Sequence, residues 1–216
     1  MRESPFMAVI HQTSVKPTKL ELLTVWLPTQ PWYQGGDGAP SLVKAGGFRL
    51  DDPEGEVGIE FMVVADTSGG TRPTAYFVPL TYRGAPLDGA EDALVGTMEH
   101  GVLGRRWAYD GCHDPVLLAQ LAALIEGRVQ AQAQNVSDTV DQEVSRAFSG
   151  GVLPRFSTVW NDDEGTELKA ADGTVLRLQR VLGPADAPEE AIGHVAGAWT
   201  LPDGVRERGL FAVLTR

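Results

Sequence analysis

The stretch LGRRWAYDGCHDPVLLAQL, from Leu103 to Leu121, crowds Arg105, Arg106, Tyr109, Asp110, Cys112, His113 and Asp114 into one short run. Those side chains could do three kinds of chemistry. Arg105 and Arg106 could grip a phosphate or a carboxylate through their guanidinium forks. His113 could act as a general base, with Asp110 or Asp114 beside it. Cys112 stands near a helix start, a setting that can lower a thiol pKa. Each residue also has a plainer explanation. Asp114-Pro115 fits the cap and first position of a helix, because a carboxylate accepts the free N–H groups there and proline has none to lose. Asp110-Gly111 is turn chemistry. On a strand, consecutive residues face opposite sides, so Arg105 and Arg106 do not form one clamp.

Other pairs are thinner. Glu99-His100 is not part of an H-E-x-x-H motif, and His11, His100, His113 and His194 show no ligand spacing, so no metal is expected. The glycines of QGGDG (34–38) match neither a Walker A loop nor G-x-G-x-x-G. Trp32 and Tyr33 could stack on a sugar ring, or simply close a core.

These residues need elements to position them. Lys16 to Leu27 reads as a short helix, with Pro17 at its first position and Leu20, Leu23 and Leu27 on one face. Strands are expected at 42–50, at 59–65 (Ile59, Phe61, Val63 and Ala65 sharing a face), and at 75–82, where Pro79 suggests an edge or a bulge. Two more, 95–103 and 105–109, meet near Gly104. A helix then follows from Asp114, carrying Leu118, Leu121, Ala122, Ile125 and Val129 at helical spacing, and a second is expected through Val140, Val144 and Phe148. Asp172-Gly173 signals a hairpin, and Pro202-Asp203-Gly204 a turn after Val195, Gly197, Trp199 and Leu201. Runs of strands beside clustered helices predict an α+β fold with a mostly antiparallel sheet. The chain reads as one domain, 1–216, with a soft boundary near 150 and a mainly β segment at 152–216.

Bulk composition narrows the function. The 216 residues carry 29 acidic against 18 basic groups, a net charge of −11. That balance disfavours nucleic acid, whose binders neutralise phosphates with Lys and Arg, and also disfavours anionic lipid. A single cysteine builds no disulfide and no thiolate zinc site, and suggests a reducing, cytoplasmic setting. The longest apolar run, Val116 to Ile125, is too short for a membrane span. MRESPFMAVI shows no signal-peptide core, and Met7 could be an alternative start.

Three segments carry a resemblance: KLELLTVWLPTQPWYQGGDG (19–38), AYFVPLTYRGAP (75–86) and LGRRWAYDGCHDPVLLAQLAALI (103–125). Over roughly 15–130 they resemble the N-terminal cap of bacterial maltokinases and related sugar kinases. The whole chain resembles stand-alone actinobacterial proteins with a cap-like domain, sometimes labelled 1,4-alpha-glucan branching proteins. The resemblance implies a curved antiparallel sheet with packed helices. In the kinases, phosphoryl transfer belongs to a C-terminal lobe with a His-Gly-Asp-type loop. Here His100-Gly101 is followed by Val102, and the Tyr33-Gln34-Gly35-Gly36-Asp37-Gly38 loop lacks the lysine those kinases tend to carry. A branching enzyme needs a (β/α)8 barrel with paired carboxylates, which this strand-rich chain does not supply.

The expectation is therefore a cap-like protein without catalytic activity of its own. It would bind a partner enzyme or a sugar ligand in glycogen, trehalose or maltose metabolism, with no cofactor and no metal. Arg105, Arg106, Tyr109, Asp110, His113, Trp32 and Tyr33 are its candidate ligand-binding residues. Two alternatives stay open. One is a nucleotide- or phosphosugar-binding regulator using Arg105 or Arg106. The other is an enzyme of unrecognised type, using His100 or His113 with Glu99, Asp110 or Asp114.

Overall fold

The structure, a computed structural model, describes residues 15–36, 38–136 and 139–216. The expectations about a leader and Met7, together with His11 and Asp37, lie outside the described residues. Elements follow in the order β1 (Val15–Lys16), α1 (Lys19–Trp26), β2 (Leu42–Leu50), β3 (Gly58–Asp66), β4 (Thr74–Arg83), β5 (Leu94–His100), β6 (Gly104–Asp110) and α2 (Pro115–Glu126). Then come β7 (Gln132–Ala133), β8 (Ser145–Phe148), β9 (Phe156–Asn161), β10 (Gly165–Ala170), β11 (Val175–Gln179), β12 (Val181–Leu182), β13 (Gly193–Thr200) and β14 (Arg206–Thr215). Only two short α-helices stand beside these strands among the described residues, so the fold is β-rich.

Alternation in β3 shows why the sheet forms as it does. Ile59, Phe61, Val63 and Ala65 enter one apolar cluster, while Met62 and Val64 enter another on the opposite face. A strand buried on both faces must be central, and β3 pairs antiparallel with β2 and β4 along its length. From β2 the ladder passes through a single pair, Trp199 with Gly46, to β13, then to β14 and β11. The chain runs on through Arg180 into β12, which pairs with β4 at Ala75 and Tyr76. These pairings bring the sheet back to β4 and close a ring. Phe48, Phe61, Phe77 and Phe211 stack inside it, with centroids 4.4 Å apart for Phe48–Phe61 and 4.5 Å for Phe77–Phe211. Gly197 is needed there, since a Cβ would stand 2.2 Å from the Phe211 ring. Leu117, Leu121, Leu124 and Ile125 of α2 join this cluster, which draws residues from Ala45 to Leu214.

Pro79 turns out to sit neither at a sheet edge nor in a bulge. One side of β4 pairs with β3 throughout, Pro79 included. Its other side is divided: Ala75 and Tyr76 take β12, Phe77 N–H donates to the Arg180 carbonyl, and Leu80–Arg83 take β6. N–H groups alternate in direction along a strand, so the one that proline lacks falls in the gap between these two partners.

Two helix expectations change. α1 begins at Lys19, not Lys16, because Thr18 and Glu21 form a capping box. Val15 and Lys16 instead pair with β5. The helix expected through Val140, Val144 and Phe148 is absent: Ser145–Phe148 is strand β8, paired with Gly193–Ala196 of β13. Three spaced apolar residues are a weak helical signal, and an unpaired stretch of strand edge supplied the competing backbone partners. α2 matches its prediction at the start, with Asp114 as cap and Pro115 at the first position. It ends before Val129 because Gly127 adopts φ +77°.

Candidate functional site

The β6–α2 junction received most of the sequence candidates, and the fold draws their charges inward. Asp110 is 2% exposed and Arg180, 70 residues away, is fully buried beside it. Arg180 Nη2 donates to Asp110 Oδ1 at 2.8 Å and Oδ2 at 2.6 Å, and its Nε donates to Thr166 Oγ1 at 2.7 Å. Burial opposes the Arg180 charge, but Asp110 outweighs it and the guanidinium pKa is raised. Cys112 is also fully buried. Burial pushes its thiol well above the usual range despite Arg180 nearby, so the expected acidic thiol is corrected to an inert one. Asp114 receives Arg83 through two hydrogen bonds of 2.7 Å and caps α2 by accepting from Val116 N–H at 2.9 Å. Burial would raise the Asp114 pKa, but Arg83 and the helix N–H hold it below the ordinary value.

The remaining candidates scatter. Arg105 is exposed and donates to Glu99 Oε1 at 2.8 Å. Arg106 is half-buried and lies against Gly84. Tyr109 is buried, and its hydroxyl accepts from Leu87 N–H at 2.9 Å. His113 is exposed. The His100 ring accepts from Leu103 N–H at 3.1 Å in the β5–β6 turn. That turn lies about 20 Å from Asp110 at ~3.3 Å per residue along β6, so His100 and the junction carboxylates do not converge. Trp32 is fully buried, with its ring 5.8 Å from Trp26, 6.0 Å from Tyr76 and 5.1 Å from the Arg180 guanidinium carbon. Tyr33 donates to Asp66 Oδ2 at 2.9 Å; burial and that carboxylate push its pKa up to about 12. Of the seven, Asp110 and Trp32 meet through Arg180, and Trp32 and Tyr33 both pack on Tyr76. Among the described residues no group of three or more His, Cys, Asp or Glu could hold a metal ion.

A different region gathers polar groups and stays open. On the outer face of β2 and β3, beside the start of α1, a cleft of about 850 Å³ is lined by Lys16, Lys19, Lys44, Glu60 and Met62. A smaller hollow of about 440 Å³ meets it at Lys44, bordered by Gly46, Gly47, Gln134 and Asn135. Glu60 is 5% exposed. Tyr82 donates to its Oε2 at 2.8 Å, Gln134 Nε2 donates to its Oε1 at 3.2 Å, and the Lys19 ammonium pairs with it. Lys19 Nζ also stands 4.9 Å from the Tyr82 ring centroid. Lys44 donates to Asn135 Oδ1 at 3.0 Å. Burial lowers the Lys44 pKa and Lys19 adds to that, against the pull of Glu60. Gly47 follows the bulge at Lys44–Gly46 in β2: its φ is +120°, and a Cβ would stand 2.0 Å from the Phe61 carbonyl oxygen. The arrangement suits binding of a polar ligand. Sequence reasoning missed it, although the chain's few lysines gave a signal, with three of its four within the first 44 residues.

Fold and site thus define a β-rich structure with a sealed junction and an open cleft lined by three lysines. Residues 26–114 match the family model of the maltokinase N-terminal cap domain, so this part of the chain is similar to that cap. No curated protein matches the chain significantly. No helix among the described residues is long and apolar enough to cross a membrane.

Proposed function

We propose that this chain is a non-catalytic, cap-like accessory or regulatory protein of the cytoplasm. It binds a partner enzyme or a sugar ligand in glycogen, trehalose or maltose metabolism. The observation that carries this reading is the match of 26–114 to the maltokinase N-terminal cap domain. The junction adds support, because the carboxylates best suited to acid–base work are occupied: Asp110 by Arg180 and Asp114 by Arg83 and the start of α2. A phosphate grip by Arg105 and Arg106 gains no such support, since Arg105 is paired with Glu99 and the two face opposite sides of β6.

The test is calorimetric titration of the purified chain with maltose, trehalose, glucose and short glucans, beside affinity purification from the native cell. Saturable binding of a saccharide, or recovery of an identified glucan- or trehalose-metabolising enzyme, is expected. Failure of both overturns the reading, and turnover of a glucan by the chain alone overturns its non-catalytic part.

A further inference from the structure

Lysine is rare here: the chain has Lys16, Lys19, Lys44 and Lys169 and no others. Three of these four line one cleft, and they reach it from β1, α1 and β2. Facing them are two carboxylates, Glu60 on the floor and Glu21 at the rim. Glu21 is engaged with the Thr18 N–H in the capping box, and Glu60 is held by Lys19, Tyr82 and Gln134. Lysines thus outnumber carboxylates by three to two on the cleft itself, with Asp141 on the adjoining hollow, in a chain whose net charge is −11. Ammonium groups serve phosphate as compact point charges. The volume of about 850 Å³ lies within the range of small-molecule sites. The adjoining hollow offers the amides of Gln134 and Asn135, groups that pair with hydroxyls.

We infer that this cleft binds a small phosphate monoester, its phosphate among Lys16, Lys19 and Lys44 and its hydroxyl-bearing part toward Gln134 and Asn135. The choice of a sugar phosphate among such esters rests on the proposed function; the choice of a phosphate ester does not.

The experiment is calorimetric titration at low ionic strength with glucose 6-phosphate, glycerol 3-phosphate, inorganic phosphate and glucose. It uses the wild-type chain, Lys44→Gln, and Lys169→Gln, which makes the same charge change on β10, away from the cleft. Saturable binding of the esters is expected, weakened at least tenfold by Lys44→Gln and less than twofold by Lys169→Gln. Should Lys44→Gln fail to fold, Lys16→Gln at an exposed position gives the same readout. Tighter binding of glucose 6-phosphate than of glycerol 3-phosphate supports the sugar phosphate. Equal binding keeps the ester site and removes the sugar assignment. Inorganic phosphate binding as tightly as both esters overturns the ester claim. Glucose binding as tightly as its phosphate overturns the lysine site while leaving the proposed function standing. No saturable binding, or equal losses in the two lysine variants, overturns the inference outright.

Discussion

Asp110 and Glu60 are both carboxylates on strands of one sheet, and both are almost wholly withdrawn from water. Asp110 faces Arg180, which is itself fully buried, and the pair is enclosed by Trp32, Thr166 and Cys112. Glu60 faces Lys19, whose side chain is 37% exposed, and opens onto a cleft that holds two further lysines. The ingredients are alike and the access is not. A charge pair closed on every side is committed to holding the fold together, because loss of either partner strands a charge in a low-dielectric interior. A carboxylate with one wet side anchors its neighbours at much smaller cost and leaves their remaining bonding capacity to a ligand. The chemically richest run of sequence thus became structure, and an unremarked set of lysines became the candidate site.

Mutations can break this contrast. Arg180→Ala should be the most damaging, at about 4 kcal/mol of stability, because it leaves Asp110 buried without its cation; urea unfolding measures it. A cost under about 1 kcal/mol would show that water reaches the junction. Asp114→Asn should cost about 2 kcal/mol, since asparagine still caps a helix but no longer pairs with the charge of Arg83. The same variant sharpens the comparison through pH. Asp114 has a depressed folded pKa, so its contribution is complete above the unfolded value of about 3.9 and is lost as pH falls through the lower folded value. Stability of Asp114→Asn measured from pH 6 to pH 2 should therefore fall less steeply than that of the wild type. Glu60→Gln should cost only about 1 kcal/mol, because an amide oxygen still accepts from Tyr82. If its unfolding midpoint drops as far as that of Arg180→Ala, the cleft is a structural element and the contrast fails. Glu99→Gln should change stability by less than about 0.5 kcal/mol, as its pair with Arg105 is more than half exposed on both sides.

Much of the local structure was readable from neighbouring residues. Asp114-Pro115 announced the start of α2, Asp172-Gly173 the β10–β11 hairpin, where Gly173 has φ +90°, and the alternation at 59–65 a strand with at least one buried face, to which the fold added a second. In each case the deciding hydrogen bonds or packing preferences lie within a few positions of the residues that signal them. The helix expected at 140–148 failed because its three apolar residues said nothing about the free edge of β13 that Ser145–Phe148 would meet. Trp32 and Tyr33 could be read either as a sugar platform or as core, and only the arrival of Tyr76, Asp66 and Arg180 decided for core.

What the sequence determined by itself was the strand-rich character, the helix cap, the turns, and the cap-like resemblance carried by short motifs between 19 and 125. What only tertiary structure decided was the partner of each charge. Arg180 gives no local sign that it will meet Asp110, because their pairing depends on the 175–182 segment crossing from β14 to β4 and closing the ring. Lys44 reaches Lys16 and Lys19 through the β2–β3 pairing and the seating of α1 on the outer face. Local signals come from bonds that a few adjacent residues can satisfy. Whether a charge ends up sealed or accessible depends on which distant strands the whole core brings against it.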